Sequence, residues 1–288
     1  MVFFLFICNI NASYLDYVYE DRQVTTNSFG QSGLIQVPTG DIRSQGNISF
    51  TLNKNNIYKI GTLTVSPFNW MEASYFYYRS ADLKWGGIPG FYLDKGFNVK
   101  FNKNIARLNN TNIAIGLDDF AGTGLFSREY LAITSNLKYL KITGGLGWGK
   151  YSGQNSNKNP LTVISDRFEL RDSFDLQAIY ETGRPSTDKW FTGPVGYFGG
   201  AEFYIPRSKG LKFKIEYDPF NYFDFSCCGE GTSANSFALR KKDSNINIGL
   251  SIPFGDYLDF DISYIKGNQL NFSFTLGADF NRFKSKKK

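Results

Sequence analysis

The sequence has 288 residues, of which 42% are apolar and 17% aromatic, a composition typical of an ordered chain. It contains no histidine, which excludes Ser-His-Asp and Cys-His catalysis and every histidine-ligated metal site. Five of the six net positive charges come from Arg and Lys within residues 282–288, so the body of the chain does not resemble a nucleic-acid-binding protein. The 28 Phe and 18 Tyr favour strands over helices.

The chain opens with a short apolar stretch, residues 2–10, followed by Asn11, Ala12 and Ser13. This pattern predicts a signal peptide over residues 1–12 and therefore export. Cys8 raises the alternative of a lipoprotein, although the bulky Ile7 precedes it where lipoprotein processing prefers a small residue. The polar, Gly- and Pro-containing residues 13–45 come next. We expect them to form a periplasmic segment beneath a barrel or to plug its lumen.

Alternation of apolar and polar residues with a period of two predicts β-strands over most of the remaining chain. In the last one, Phe272, Phe274 and Leu276 fall on one face, whereas Ser273 and Thr275 fall on the other. The same pattern predicts twelve strands. They span residues 46–53, 57–66, 69–79, 93–102, 111–119, 126–136, 138–148, 195–205, 210–218, 244–252, 256–266 and 269–280.

The connections between these predicted strands alternate between short and long. Tight connections follow the second, fourth, sixth, eighth and tenth strands, whereas residues 149–194 and 219–243 form two long ones. Bacterial outer-membrane barrels have an even number of strands, short periplasmic turns and long outer loops. We therefore predict an all-β fold, an up-and-down transmembrane antiparallel β-barrel of about 12 strands over residues 46–280, followed by a basic periplasmic tail, 281–288.

The alternative is a soluble barrel with its apolar face turned inward. Twelve strands enclose an interior that side chains do not easily fill, so we expect the apolar face outside and a wet, polar lumen. Aromatic residues near the strand ends are typical of an interfacial belt. They are Trp70, Tyr217, Phe220, Phe254, Tyr257 and Phe280.

Charged residues of both signs recur on the face predicted to line the lumen. In a channel they would set ion preference or bind sugar hydroxyls, and the alternative is a mutually neutralising network that stiffens the barrel. The candidates are Lys100, Glu202, Lys212, Lys214, Glu216, Asp259, Asp261 and Asp279.

Two further groups of residues could carry chemistry. Asp118 and Asp119 precede a Gly-rich turn with Glu129 nearby, and paired carboxylates are what a glycoside hydrolase needs. The alternative is that these carboxylates hold the turn through its own amides. Cys227 and Cys228 are adjacent in a polar stretch and could form a vicinal disulfide or remain two loop thiols.

The segment from Asn112 to Leu131 resembles the YjbH family of exopolysaccharide-associated outer-membrane proteins. Its most specific part is a landmark loop. That loop comprises Asp118, Asp119, Phe120, Gly122, Thr123, Gly124, Glu129 and Tyr130. Other segments resemble the family in the same order: residues 33–39, 65–73, 93–101, 145–149, 190–194 and 198–203.

The resemblance implies a non-enzymatic role in the biosynthesis, export or assembly of exopolysaccharide or capsule at a Gram-negative outer membrane. The implied partners are outer-membrane lipid and polysaccharide or polysaccharide-export proteins. The charge distribution and the lack of metal-ligand spacing or a dinucleotide fingerprint predict no nucleic acid, no cofactor and no metal. Members of the family are commonly longer, so the chain resembles their N-terminal barrel. Two other functions stay open: a passive channel for acidic oligosaccharides, and a barrel enzyme acting through Asp118, Asp119 and Glu129.

Overall fold

Twelve antiparallel strands close into one barrel in the computed structural model. Each strand pairs with its neighbours in sequence, and the first pairs with the last. The strands are β1 Asn47–Lys54, β2 Tyr58–Phe68, β3 Met71–Lys84, β4 Phe91–Ile105, β5 Thr111–Asp118, β6 Arg128–Asn136, β7 Leu140–Gly147, β8 Gly196–Tyr204, β9 Lys212–Tyr217, β10 Ile246–Phe254, β11 Leu258–Ile265 and β12 Gln269–Asp279. The predicted all-β barrel and its twelve strands are confirmed, with β3 and β4 longer than predicted.

The structure describes residues 24–84, 91–105, 108, 111–124, 126–137, 139–153, 157–172, 183, 185, 187–206, 208, 210–222, 240–255 and 257–280, without the side chains of residues 81–84. The predicted signal peptide, Cys8, Cys227, Cys228 and the basic tail lie outside these residues. Short 3-10 turns occur at Gly149–Tyr151, Pro160–Val163 and Asp166–Phe168. None of the helical turns in the described part of the chain is long and apolar enough to cross a bilayer.

The alternating pattern of the sequence places apolar side chains outside the barrel. At the seam where β1 meets β12, Phe50 pairs with Leu276 and both side chains are exposed, at 44% and 52%. Their neighbours Thr51 and Thr275 face inward, are 1% exposed and hydrogen-bond to each other at 3.0 Å. The inverted alternative, a soluble barrel with an apolar interior, is therefore wrong.

The two rims of the barrel carry different connections. One rim, here called the terminus rim, holds the start of β1, the end of β12 and the shorter connections such as Asn69-Trp70. The opposite rim, here called the long-loop rim, holds the connections from β7 to β8 and from β9 to β10. The predicted separation of short and long connections is thus present.

Exposed aromatic side chains mark the strand ends. Four of the predicted belt residues, Trp70, Phe254, Tyr257 and Phe280, are exposed at the terminus rim, and Tyr217 is exposed near the other rim. The prediction for the sixth residue, Phe220, is wrong, because its side chain is only 3% exposed and lies inside the barrel. Its amide donates a hydrogen bond to Asp218 Oδ1, which turns the chain back over the barrel mouth.

The described part of the chain itself occupies much of the lumen, which differs from the wet interior that strand number alone predicts. Residues 24–41, here called the plug, lie inside the wall, and nearly all of them are buried. Two cavities between plug and wall measure about 10 Å³ each, room for at most one water molecule.

Candidate functional site

The plug is a folded-back loop whose two ends lie at the terminus rim. Isolated bridges pair Thr26 with Ser32 and Gly33 with Pro38, so the segment doubles back on itself. The Arg43 guanidinium, just past the plug, donates to Thr26 Oγ1 near its start. The tip, around Phe29, therefore points toward the long-loop rim.

Two wall carboxylates bind the peptide groups of the plug. Glu216 accepts hydrogen bonds from the amides of Ile35 and Gln36 at 2.8 Å each and from Val37 at 3.3 Å. Glu72 accepts from the Ser32 amide at 2.9 Å and from its hydroxyl. Both carboxylates are almost fully buried, so these bonds replace the water that they would otherwise bind.

Two wall lysines bind carbonyl groups of the same segment. Lys100 Nζ donates to the carbonyl of Ser32 at 2.6 Å and lies 3.8 Å from Glu72 Oε1. Lys214 Nζ donates to the carbonyl of Leu34 at 3.0 Å and to Asp261 Oδ1 at 2.9 Å. Charged pairs on the wall thus hold both the donors and the acceptors of the plug backbone.

Uncharged wall side chains complete this contact around the barrel. Thr62 and Thr64 on β2 donate to plug carbonyls at 2.9 and 2.7 Å. Thr134 on β6 accepts from the Gly40 amide at 2.7 Å, and the Tyr151 hydroxyl donates to the Gln36 carbonyl at 3.1 Å. The plug is therefore held from several sides by side chains that recognise peptide groups.

An aromatic cluster surrounds the plug tip. The Arg128 guanidinium lies 3.7 Å from the centroid of the Phe29 ring, within cation–π distance, and its Nε bonds Asp118 Oδ2 at 2.6 Å. Phe220 lies 5.7 Å from the Phe29 ring, centroid to centroid. The tip is thus the apolar end of an otherwise polar interior.

Glycine residues, which have no side chain, let the plug and the wall approach closely. A Cβ at Gly30, where φ is +80°, would lie 2.4 Å from Thr62 Cβ. A Cβ at Gly200 on β8 would lie 2.7 Å from Leu34 Cδ1. Glycine at position 30 is therefore required by the fit of plug to wall, whereas a Cβ at Gly200 would meet the Ile215 carbonyl of β9 at 2.3 Å as well as the plug.

The predicted lumen charges lie at several levels of the interior. Lys100, Lys214 and Glu216 contact the plug backbone, as described above, and Asp261 pairs with Lys214. Glu202 lies 3.3 Å from Lys212 Nζ and accepts from Thr25 Oγ1 at 2.6 Å. The two others are half-buried: Asp259 lies two residues from Asp261 on β11, and Asp279 accepts from Ser44 Oγ at 2.7 Å at the terminus rim.

The landmark loop joins β5 to β6 at the long-loop rim. Asp119, with φ at +53°, accepts from the Phe126 amide at 2.9 Å and donates its own amide to Asn98 Oδ1. Thr123 Oγ1 donates to Asp94 Oδ2 at 2.9 Å. A Cβ at Gly122 would lie 1.9 Å from Asp119 Oδ1, so the turn closes directly over this carboxylate.

Burial, together with the nearby Asp94 carboxylate, raises the pKa of Asp119 well above its usual range. Of the remaining loop residues, Phe120 is half-buried and donates its amide to the Phe97 carbonyl at 3.1 Å. Gly124 has φ of +76° and open space around it. Tyr130, on β6, is fully buried and packs edge-on against Tyr151.

Two of the three carboxylates considered for sugar cleavage, Asp118 and Glu129, are bound by cationic side chains, and the third, Asp119, is buried beneath the landmark loop. Asp118 accepts hydrogen bonds from Arg128 Nε and from the side-chain Nε2 of Gln31 in the plug. Glu129 accepts from Arg171 Nη1 at 2.6 Å and Nη2 at 3.0 Å, which ties the β7–β8 connection to β6. The geometry therefore supports the structural alternative, in which these groups hold loops and plug.

Several interior residues were not singled out from the sequence. Glu72 and Arg128 are the most important, because one binds the plug backbone and the other its tip. Glu72 alternates with outward Met71 and Ala73, so period-two scoring of β3 could have found it. Arg128 stands at the first position of β6, where no alternation precedes it.

A cleft of about 340 Å³ opens at the long-loop rim. Phe220 and Tyr222 line it, with the basic side chains of Arg240 and Lys242. Arg240 donates to the Tyr222 carbonyl at 3.1 Å, and Lys242 donates to the Asp218 carbonyl. Since Phe220 also packs on Phe29, the cleft and the plug tip share one side chain.

Comparison with known proteins identifies the family. The profile of YjbH, described as "Exopolysaccharide biosynthesis protein YbjH", matches residues 25–288, which include all but the first residue of the plug and all twelve strands. The chain belongs to the YjbH family. A curated YjbH relative, "Uncharacterized lipoprotein YjbH" of Escherichia coli (strain K12), is 32% identical over 262 residues. These residues are 88% of this chain and 35% of the relative, so the chain spans about a third of that protein's length.

Solved structures with a similar outline are distant from this YjbH barrel. The KdgM porin has a TM-score of 0.39 and 10% identity, with 81% of this chain and 99% of that chain covered. The NanC porin has a TM-score of 0.36 and 10% identity, with 81% and 98% covered.

Proposed function

We propose that this YjbH-family chain is an outer-membrane barrel that serves exopolysaccharide or capsule biosynthesis, export or assembly without catalysing a reaction. The observation that carries the location is the apolar outer face of a closed barrel. A closed barrel satisfies every wall hydrogen bond internally, which is the condition for strands to lie in hydrocarbon. Membership of a family described by exopolysaccharide biosynthesis supplies the pathway.

The outer face supports contact with lipid on every side of the barrel. Phe50, Phe97, Ile133, Phe203 and Phe274 stand on five different strands, and each is exposed by about two-fifths. Large apolar surfaces of this extent mark interaction sites, because water around them is unfavourable. A bilayer is the partner whose chemistry fits a surface that encircles the whole wall.

A non-enzymatic role is supported by the use of the buried acids. Asp118 pairs with Arg128, and Glu129 pairs with Arg171. A general acid or a nucleophile must reach a substrate, whereas these carboxylates are spent on neighbouring side chains. Replacing Asp118 or Glu129 is accordingly expected to lower the stability of the fold rather than to abolish a catalysed reaction.

The described conformation does not favour the passive channel for acidic oligosaccharides. Such a channel needs an open lumen and unpaired cations along it. Here Lys212 lies 3.3 Å from Glu202, Lys214 lies 2.9 Å from Asp261, and the plug lies across the interior.

Deletion and complementation test the proposed pathway. A strain lacking this protein is expected to lose most of its surface polysaccharide by immunoblot or dye binding, and the wild-type chain should restore it. Asp118→Asn and Glu129→Gln, produced at equal levels in the membrane, should restore it as well. Unchanged polysaccharide in the deletion strain would refute the pathway, and failure of only the two carboxylate variants would point to an enzyme.

A further inference from the structure

The wall of the lumen is charged, whereas the plug that it holds is almost neutral. Residues 24–40 carry no charged side chain. The wall facing them buries Glu72, Lys100, Lys214 and Glu216, each at most 2% exposed. Burying ions against a neutral segment costs free energy, which the hydrogen bonds to the plug and the ion pairs within the wall must offset. In a lumen that is at times open to water, the same ions would be hydrated and would not carry this cost.

The wall side chains bind peptide N–H and carbonyl groups of the plug, and other polar chains can offer equivalent hydrogen-bond donors and acceptors. Glu216 and Glu72 accept from peptide N–H groups, and Lys100, Lys214 and Thr62 donate to peptide carbonyls. Sugar hydroxyls are both donors and acceptors of hydrogen bonds, so they can replace either kind of peptide group. The peptide backbone of the plug therefore occupies positions that suit a polyhydroxylated chain.

The path of the plug allows it to leave without threading. Both of its ends lie at the terminus rim, with Arg43 bound to Thr26 there, and its two turns, at Phe29 and at Gln36, reach the aromatic cluster. A folded-back loop of this kind can be withdrawn as one body toward the rim from which it enters. The strands of the wall need not separate.

Building on the proposed function, we propose that the plug is a withdrawable gate and that the wall behind it is a binding path for a glycan chain. In the closed state, plug peptide groups satisfy Glu72, Lys100, Lys214 and Glu216. In the open state, water and sugar hydroxyls take their place. The terminus rim is then the side from which the plug is released.

A disulfide lock tests whether the plug must move. Ser28 Oγ of the plug lies 3.0 Å from Asn271 Nδ2 of the wall, so the pair Ser28→Cys and Asn271→Cys is placed to cross-link them. The matched control is Thr51→Cys with Thr275→Cys, which joins two wall strands across 3.0 Å and leaves the plug uncrosslinked. Both pairs are made in a chain whose Cys8, Cys227 and Cys228 are replaced by serine.

We expect oxidation of the plug–wall pair to reduce surface polysaccharide at least tenfold, and reduction to restore it. The wall–wall pair should keep wild-type levels in both states. A cross-linked plug that still supports wild-type polysaccharide would overturn the gate. If deletion of the whole protein leaves polysaccharide unchanged, the pathway has failed, and the bilayer measurement below decides the gate separately.

Planar-bilayer recording tests the binding path with defined probes. The chain without residues 24–41 should conduct KCl steadily, and a malto-oligosaccharide should interrupt the current for longer than a polyethylene glycol of equal size. The wall–wall pair, with its plug intact, should remain closed. A deletion variant that inserts but carries no current, or that shows equal interruptions with both polymers, would contradict the proposal. If that variant does not fold, the disulfide pairs retain the test of the gate.

Discussion

The Arg128 guanidinium on β6 stacks on the Phe29 ring of the plug, with 3.7 Å between the guanidinium carbon and the ring centroid. The same guanidinium bonds Asp118 at the end of β5, so wall and plug tip share one cation. A buried cation over an aromatic face is worth about 2 kcal/mol, which makes this contact a principal restraint on the tip.

Phe29→Leu is expected to loosen the plug, because leucine keeps the apolar contact but offers no aromatic face to Arg128. In a chain with a single cysteine at position 28, maleimide labelling should become roughly tenfold faster, the change that about 1.4 kcal/mol produces. Phe274→Leu, on the outer face, should leave the labelling rate unchanged. Equal rates for the two variants would show that the ring does not hold the tip.

Glu216→Ala is expected to have the larger effect on plug accessibility. It removes the acceptor for the amides of Ile35, Gln36 and Val37, and an unsatisfied buried donor costs about 1–3 kcal/mol. Labelling at position 28 should rise well beyond tenfold, measured in the same single-cysteine chain. The control is Asp166→Asn on the exposed rim, and a Glu216→Ala rate no higher than that control would contradict the clamp.

Gly30→Ala should displace the tip for steric reasons. Its Cβ would lie 2.4 Å from Thr62 Cβ, and φ of +80° is unfavourable for alanine. We expect faster labelling at position 28. The temperature at which heating unfolds the barrel, seen as a change in its mobility on gels, should change little. Gly144→Ala, whose Cβ meets nothing within 4 Å on the outer face, is the matched control. A Gly30→Ala chain that labels like Gly144→Ala would refute the close fit.

Asp119 makes the stability of the landmark loop depend on pH. Its raised pKa means that the folded state binds a proton that the unfolded state releases above about pH 4, so stability falls as the pH rises toward the folded pKa. Asp119→Asn should reduce this dependence and tolerate the positive φ, because asparagine is common in that conformation. Melting midpoints at pH 5 and pH 8 test this, with Asp243→Asn as an exposed control. A slope as steep in Asp119→Asn as in the wild type would assign the effect to another group.

The strands could be predicted because their signal is local. Alternation in β1 and β12 specifies which face of each strand is apolar. Closure of the barrel then requires only that the first and last strands pair, as they do where Phe50 lies opposite Leu276. The same rule misjudged Phe220, because it continues a strand pattern past the point where Asp218 turns the chain inward. Local alternation therefore predicts the orientation of side chains within the strands better than at the rims, where the strands end.

The plug could be suggested but not placed. Its contacts join residues far apart in sequence, such as Gln36 and Glu216. Residues 24–41 show no periodic pattern from which their contacts on the wall could be predicted. The charges of Lys100, Lys214 and Glu216 were visible as lumen candidates, yet their pairing with peptide groups depends on where the plug lies. The cation–π contact between Arg128 and Phe29 has no sequence signal for the same reason.

Membrane fractionation with an unfolding readout tests most directly whether this barrel lies in the outer membrane. We expect the chain to sediment with outer membranes, to stay there after carbonate washing, and to require detergent for release. On gels, the unheated protein should migrate differently from the heated one, as an intact barrel does. A chain that is recovered in the periplasm, soluble without detergent and with its barrel intact, would show that the barrel does not lie in the outer membrane.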